Sequence, residues 1–414
     1  MRLNAAGTQH LTYCTNIHPG ESWAEVRHAL ETSVPEVKRR LGLAQEPFGV
    51  GLRLSARAVA DLAEAGAMDD LRALLDRHGL YVFTLNGFPY GTFHGARVKE
   101  GVYEPDWRSR ERLTYTNALA EVLARLLPEG MEGSISTVPG AFKPNAADPA
   151  AVAAITGTLA EHAAFLWQLR QDTGTSIALA LEPEPECFLE TLDEAAAFFR
   201  DHLFGEAGVA AMVRHTGLLE AEALTALRRH LGVCLDVCHA AVEYESAPEA
   251  LAMFQASGIR VPKVQLSSAL RLAPPDEAAL QRLADFDDGV YLHQVVTRSG
   301  GELKRYLDLP RALADGLARA AEEWRVHFHV PVFLEELDGF SSTQAALSET
   351  LEALRGELGS EVPHLEVETY TWDVLPERHR GVAVEDAIAR ELNWTLERLR
   401  GKRSAPPDTD SRTP

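Results

Sequence analysis

The chain has 414 residues, 46% of them hydrophobic, which is enough for one large domain or two or three smaller ones with a substantial core. Its formal net charge of −21 opposes nonspecific attraction to nucleic-acid phosphates and to anionic membranes. Four cysteines are too few for a disulfide scaffold, and no signal peptide or transmembrane run is evident, so we expect a soluble cytoplasmic protein with no membrane insertion and no nucleic-acid partner.

Strand and helix signals alternate from residue 11 to residue 400 with no internal linker. Apolar runs bounded by glycine, proline or polar residues predict the strands, and helical periodicity predicts the segments between them. This alternation is typical of a parallel sheet with helical crossovers. The predicted strands are 11–20, 48–54, 80–85, 134–138, 176–181, 233–235, 261–268 and 364–372, and the predicted helices are 23–41, 56–65, 69–78, 108–127, 147–173, 192–203, 221–231, 310–325, 343–354 and 384–400.

Eight main strands predict an α/β fold built as a single (β/α)8 TIM barrel over residues 1–400. The region 269–351 is less regular, with a hairpin predicted around the turn at 299–301. A ninth strand candidate, 326–333, is either a barrel strand or part of an extra segment, and we predict an insertion between strands seven and eight. The polar, proline-rich segment 401–414 is expected to be a disordered tail.

Polar side chains collect at the carboxyl ends of the predicted strands, where α/β barrels place their active sites. Glu182 ends strand five, and Asp236 and His239 follow strand six. Packed carboxylates repel one another unless a cation or shared protons intervene, and oxygen and imidazole ligands suit Mn²⁺, Mg²⁺, Co²⁺, Fe²⁺ or Zn²⁺, so a divalent metal is the expected cofactor. Other strand-end residues are Asn16, His18, His94, Gln265, His327, His329 and Glu368.

These residues also have a purely structural explanation. Asp236 suits the N-cap of a following helix with His239 in its first turn, and single histidines often pack in a core. The number of strands that end in the same way favours a shared site over a series of independent caps.

The segment 86–107 is unusually long for a connector, and such loops in compact domains are usually functional. Phe88, Tyr90 and Trp107 in this loop, together with Tyr370 and Trp372, are candidates for an apolar floor under a bound small molecule. His18 and His94 are further candidates for substrate binding. For the aromatic side chains, packing into the rim or the core is the alternative.

The order Leu-Glu-Pro at 181–183, Leu-Asp-x-x-His at 235–239, a strand with a coordinating side chain and a final strand glutamate resembles the xylose isomerase-like superfamily. That superfamily includes sugar (phosphate) isomerases and epimerases and the endonuclease IV group. The segments 11–23, 327–331 and 368–373 look more specifically like the metabolite traffic protein EboE family of TIM-barrel proteins.

The resemblance implies a set of metal ligands. In the epimerases a divalent metal is held by a Glu, an Asp, a His and a Glu, and Glu182, Asp236 and Glu368 match three of these. Gln265 stands where the histidine is usual, so the fourth ligand is either this weaker donor or His329.

The same resemblance implies that Glu182 and Glu368 act as acid and base, and that His239 helps to bind substrate. Epimerising a ketose removes a proton next to a carbonyl, and a divalent ion lowers the free energy of the resulting enediolate. The predicted function is a metal-dependent isomerase or epimerase for a sugar-like small metabolite, in metabolite processing or traffic. The alternatives are a non-catalytic metabolite-binding barrel and an endonuclease IV-like phosphodiester hydrolase, which the acidic charge disfavours.

Overall fold

The structure, a computed structural model, describes residues 1–4, 7–88, 101, 103–287, 289, 291–355, 362–373, 375 and 381–400. Eight parallel strands form a nearly closed barrel surrounded by helices, and a six-stranded sheet is inserted between the last two barrel strands. The predicted α/β barrel with an insertion is therefore confirmed. The predicted tail 401–414 and most of the loop 86–107 lie outside the described residues.

The strands and helices follow the alternation expected from the sequence. The strands are β1 Leu11–Tyr13, β2 Phe48–Arg53, β3 Leu80–Asn86, β4 Gly133–Thr137, β5 Ile177–Leu181, β6 Leu231–Asp236, β7 Arg260–Leu266, β8 Leu270–Leu272, β9 Val295–Ser299, β10 Glu302–Tyr306, β11 Glu323–Val326, β12 Glu336–Leu337, β13 Phe340–Ser342 and β14 His364–Val367. The helices are α1 Trp23–Glu31, α2 Ser33–Arg40, α3 Ala56–Leu62, α4 Ala67–His78, α5 Arg110–Leu126, α6 Pro149–Thr173, α7 Leu192–Phe198, α8 Glu206–Thr216, α9 Glu220–His230, α10 Val237–Val242, α11 Ala247–Ala256, α12 Glu277–Leu283, α13 Leu309–Ala314, α14 Gly316–Arg319, α15 Gln344–Leu354 and α16 Val384–Arg400.

The barrel strands neighbour one another in the order β1-β14-β7-β6-β5-β4-β3-β2. At the seam between β1 and β2, a single backbone bridge joins Cys14 to Gly51. A side chain supplies further bonds there, because Thr12 Oγ1 donates to Gly49 O at 2.8 Å and accepts from Gly51 N at 3.0 Å. The threonine hydroxyl thus takes the place of a backbone partner and closes the barrel.

The barrel interior beneath the strand ends is polar. The side chains of Lys263 on β7 and Glu366 on β14 are fully buried, with Nζ 2.5 Å from Oε2. Lys263 also donates to Ser136 Oγ on β4 at 3.2 Å. A Cβ at Gly51 on β2 would lie 1.8 Å from Glu366 Oε1, so the ion pair occupies the space that any side chain at this position would need.

The inserted sheet has the strand order β10-β9-β11-β8-β13-β12, and β9 pairs antiparallel with β10, which confirms the predicted hairpin. The predicted strand 326–333 is wrong beyond Val326, where β11 ends. The backbone hydrogen bonds of this segment do not form a strand ladder, since His327 N donates to Gln294 O at 2.8 Å and Val330 N donates to Ser268 O at 2.7 Å. The segment that carries the two histidines is therefore an irregular connection held against the barrel mouth.

Three other predicted elements differ from the structure. The helix predicted at 23–41 breaks at Thr32 into α1 and α2, and Pro35 has no N–H for a continuous helix. The helix predicted at 310–325 is divided into the two short helices α13 and α14, because Asp315 has an extended backbone and its side chain caps α14 by accepting from Leu317 N. The last residues of the predicted helix belong to β11. The last strand stops at Val367 instead of continuing to Trp372.

One described helix, α6, is long and apolar enough to cross a bilayer by length and composition alone. Half of its most apolar window is buried, and it packs against α5, α8 and α9. A core helix of a barrel passes the same test, so α6 is only weak evidence against the expectation of no membrane insertion.

We expect Gly51→Ala to lower the free energy of unfolding by about 1–3 kcal/mol, as overpacked cores do. The added methyl would meet Glu366 Oε1 and, at 2.9 Å, Thr12 Cγ2. Urea and thermal denaturation followed by circular dichroism measure the change. The control Gly157→Ala places a methyl in α6 with no atom within 4 Å and is expected to stabilise by about 0.5–1 kcal/mol. Equal effects of the two substitutions would contradict the packing described here.

We also expect Lys263→Met to destabilise the protein by about 3–5 kcal/mol, because it leaves Glu366 buried without its partner. The double variant Lys263→Met/Glu366→Leu removes both charges and is expected to recover most of the loss. The same denaturation experiments compare them, and a double variant no more stable than Lys263→Met would show that the ion pair is not the cause.

Candidate metal centre

Three carboxylates meet at the carboxyl ends of the barrel strands. Glu182 directly follows β5, Asp236 ends β6 and Glu368 directly follows β14. One oxygen atom of each lies within 4.8 Å of the other two, and all three residues are buried. The parallel ladders bring these positions to one edge of the sheet although they are far apart in sequence.

Asp236 is both a helix cap and a member of this cluster. Its Oδ1 accepts hydrogen bonds from His239 N at 3.0 Å and from Ser267 Oγ at 2.7 Å, and so caps α10. Its Oδ2 is buried and has no hydrogen-bond partner in the described part of the chain. The capping role expected as an alternative is therefore real, and it orients the carboxylate while leaving one oxygen available.

The other two carboxylates of the trio, Glu182 and Glu368, are also buried among negative charges. Glu182 Oε2 is buried without a hydrogen-bond partner among the described residues, and Glu368 Oε1 accepts from Asn16 Nδ2 at 2.7 Å. Burial and the charges of Glu368 and Asp236 raise the pKa of Glu182 well above its usual range. Burial, Asp236 and Glu366 raise the pKa of Glu368 in the same way. Buried oxygens that face one another are costly unless a cation or protons lie between them, so the trio fits a divalent cation.

The two candidates for the fourth ligand differ in their contacts. Gln265 lies in register with Asp236 on β6, but its Oε1, the metal-ligating atom of an amide, accepts from Cys234 Sγ at 3.2 Å. A ring nitrogen of His329 lies within 4.8 Å of both a carboxylate oxygen of Asp236 and a nitrogen of His239. His329 therefore has a ring nitrogen beside Asp236, whereas the amide oxygen of Gln265 is engaged by the thiol of Cys234.

A group of three imidazoles adjoins the carboxylates. His239 Nε2 lies 3.1 Å from His327 Nε2, which lies 3.3 Å from His329 Nε2. Burial, with the neighbouring histidines, lowers the pKa of His327 well below its usual range. Burial also lowers the pKa of His329 to about 4, although Asp236 opposes this shift. Both rings are therefore neutral near pH 7.

A pocket with a cavity volume of about 70 Å³ opens over these groups, and Phe88, Tyr103, Tyr291 and Tyr370 contribute aromatic rings to its walls. Neither a lysine nor an arginine of the described ranges contributes to its lining. Together these features favour a ligand without phosphate groups and with an apolar face. The lining residues are Asn16, Asn86, Phe88, Tyr103, Glu182, Glu184, His239, Tyr291, Leu292, His327, His329, Glu368 and Tyr370.

Several residues predicted to bind substrate lie elsewhere. Trp107 is fully buried and donates from Nε1 to Thr137 Oγ1 at 3.1 Å, and Trp372 is buried in the turn after β14. His18 contacts Tyr13, with 3.0 Å between Nε2 and Oη. These three do not belong to the pocket lining, so core packing is what the structure shows for both tryptophans. Tyr90 and His94 lie outside the described residues.

Tyr103, Tyr291 and Glu184 belong to the pocket lining and were not predicted as site residues, whereas Phe88 and Tyr370 of the same lining were. Glu184 accepts from Tyr103 Oη at 2.7 Å, and the rings of Tyr291 and Tyr370 are 5.2 Å apart between centroids. Glu184 had a local signal, because it follows Glu182 by two residues in a run of alternating prolines. Tyr103 and Tyr291 had no such local signal, since nothing in the neighbouring sequence distinguishes a tyrosine that lines a pocket from one in the core.

No protein-family model matches the chain, and no curated protein matches its sequence. Solved structures with similar folds include a xylose isomerase-like TIM barrel protein from Mycobacterium smegmatis in complex with magnesium, at 12% identity and a TM-score of 0.50 over 96% of this chain and 98% of that one. Another is a xylose isomerase domain protein from Alicyclobacillus acidocaldarius subsp. acidocaldarius, at 16% identity and a TM-score of 0.46 over 95% and 100%. A D-tagatose 3-epimerase-like protein has 12% identity and a TM-score of 0.47 over 94% and 98%. The structural neighbours are thus xylose isomerase-like TIM barrel proteins, and at this identity the likeness shows the fold.

We expect Glu368→Gln to weaken Mn²⁺ binding by more than the ~10–100-fold that loss of an outer-shell partner costs, because it removes a ligand charge. Titration calorimetry measures the affinity. Because the pKa values of Glu182 and Glu368 are raised, protons compete with the cation, and the affinity should fall as the pH is lowered. The control Glu243→Gln changes a buried carboxyl that pairs with Arg305 outside the pocket, and it should bind Mn²⁺ like the unmodified protein. Equal weakening in both variants would contradict the assignment.

Proposed function

We propose that this protein is a metal-dependent isomerase or epimerase that acts on a small, sugar-like metabolite by moving a proton next to a carbonyl group. The observation that carries the proposal is the approach of Glu182, Asp236 and Glu368 to within 4.8 Å of one another at the barrel mouth. Side chains from three different strands form one oxygen donor set there, which structural capping alone does not require.

The residues of the site have complementary roles in this proposal. A divalent ion held by the trio would stabilise the negative charge that develops on a carbonyl oxygen when the adjacent carbon loses its proton. Glu182 and Glu368 line the pocket, and burial raises the pKa values of both carboxyls above their usual range, as is typical of groups that accept and return a proton. His239 also lines the pocket, and its Nδ1 donates to Pro183 O at 3.0 Å, which fixes the orientation of the ring.

The pocket walls narrow the class of substrate. The aromatic faces of Phe88, Tyr103 and Tyr370 suit the apolar face of a sugar ring or an aromatic portion of a metabolite. With no basic side chain among the described lining residues, a phosphorylated sugar or a nucleic-acid backbone has no counter-charge in that lining. The resemblance of 11–23, 327–331 and 368–373 to the EboE family supports a role in cytoplasmic metabolite processing or traffic.

Proton exchange with solvent tests the proposal directly. The Mn²⁺-loaded protein is incubated with a panel of unphosphorylated ketoses in D2O, and deuterium next to the carbonyl is followed by NMR. We expect exchange with at least one ketose, and a loss of about 10²–10⁴-fold in rate in Glu182→Gln and Glu368→Gln, the range for removal of a general acid or base.

Glu243→Gln is the matched control and should exchange at the unmodified rate, because Glu243 lies outside the pocket lining. Ketose binding without any exchange would overturn the proposal in favour of a non-catalytic metabolite-binding barrel. Exchange that survives in both glutamate variants would overturn the assignment of acid and base.

A further inference from the structure

The orientation of each of the three imidazoles is fixed by its second ring nitrogen. His239 Nδ1 lies 3.0 Å from Pro183 O, and His329 Nδ1 lies 2.8 Å from Glu368 O. A backbone carbonyl only accepts hydrogen bonds, so both Nδ1 atoms carry the proton. An imidazole that carries only this proton presents a lone pair at Nε2.

The third ring, His327, is fixed by the side-chain amide of Gln294. Gln294 Nε2 donates to Pro185 O at 3.2 Å and to Tyr103 Oη at 3.0 Å. Because Pro185 O can only accept, the amide nitrogen must face it and the amide oxygen must face His327. His327 Nδ1 then donates to Gln294 Oε1 at 2.7 Å, and its Nε2 also presents a lone pair.

The lone pair of His327 faces those of both other rings. His327 Nε2 is 3.1 Å from His239 Nε2 and 3.3 Å from His329 Nε2. A proton on one ring would bridge a single pair of nitrogens, so it could relieve one of these contacts and leave the other. A cation bound by all three nitrogens relieves both, and metal–nitrogen bonds of about 2.0–2.1 Å in a tetrahedron place the nitrogens about 3.3 Å apart.

The three histidines also have the surroundings of metal ligands. All are buried, and each donates its second N–H to a fixed oxygen, which is the arrangement that holds metal-binding imidazoles. Asp236 lies within 4.8 Å of ring nitrogens of His239 and His329, so an additional oxygen donor is present. The same aspartate belongs to the carboxylate trio, which places the two donor sets side by side.

We propose that the barrel mouth contains a second divalent-cation site, formed by Nε2 of His239, His327 and His329 and adjoining the carboxylate site through Asp236. Nitrogen donors favour Zn²⁺ or Co²⁺, whereas the carboxylate trio is an oxygen donor set that suits Mg²⁺ or Mn²⁺. The proposed isomerase or epimerase activity requires only the carboxylate site, so the two proposals can fail independently.

Metal stoichiometry and the Co²⁺ spectrum of the full-length protein test the second site. The metal-stripped chain is loaded with Co²⁺, desalted and analysed by elemental mass spectrometry and visible absorption. We expect two Co²⁺ per chain and the intense visible bands of tetrahedral Co²⁺. His327→Gln and His329→Gln should each lose one Co²⁺ and these bands, whereas Glu368→Gln should lose one Co²⁺ and keep them.

Two further variants guard against misfolding and indirect effects. Gln294→Leu leaves all three imidazoles in place but removes the partner of His327, and it should weaken the nitrogen site by about 10–100-fold without changing Mn²⁺ binding at the carboxylates. His162→Gln removes another buried histidine, located on α6, and should retain two Co²⁺.

The possible results separate the two proposals. One Co²⁺ per chain in the unmodified protein, lost in both His327→Gln and Glu368→Gln, would mean a single shared ion and would overturn the second site while leaving the isomerase proposal standing. Unchanged Co²⁺ content and spectrum in both His327→Gln and His329→Gln would overturn it as well. Loss of tetrahedral bands confined to the histidine variants, with Mn²⁺ binding retained, would support the second site even if no ketose exchanges its proton.

Discussion

Four buried carboxylates lie close enough to repel one another in and above the barrel. Glu182, Asp236 and Glu368 meet at the mouth, and Glu366 lies beneath them. Lys263 pairs with Glu366 at 2.5 Å, so the deepest charge is compensated within the barrel and the trio above it is not. A cation bound to the trio removes this repulsion in the folded state alone, so metal binding and fold stability are linked.

The inserted sheet matters because it delivers side chains that the barrel strands do not supply. The irregular segment after β11 is held at both ends by hydrogen bonds. His327 N donates to Gln294 O, and Val332 N donates to Glu391 Oε1 at 3.1 Å. Glu391 on α16 also accepts from Thr369 Oγ1 at 2.6 Å. One carboxyl group therefore ties the segment that carries His329 to the turn that follows Glu368, and the two parts of the site are positioned together.

The parts of the site that were predictable from sequence are those with local signals. Glu182 and Asp236 each end an apolar run and Glu368 lies in the last predicted strand, and the parallel ladders bring these three positions together. The choice between Gln265 and His329 was not predictable, because the path after β11 depends on bonds to residues distant in sequence. Trp107 was placed on the pocket side because an aromatic residue in a long loop looks the same whether it packs inward or lines a cavity.

Two of the three imidazoles at the mouth, His327 and His329, come from the inserted segment and not from a barrel strand. Strand seven offers Gln265, whose oxygen is bonded to the thiol of Cys234, and the nearest nitrogen donors come instead from α10 and from the segment after β11. A donor on a barrel strand is held by the sheet itself, whereas His327 and His329 are held by Gln294 and by the backbone oxygen of Glu368. The proposed nitrogen site would therefore depend on the packing of the inserted sheet against the mouth, and not on the barrel alone.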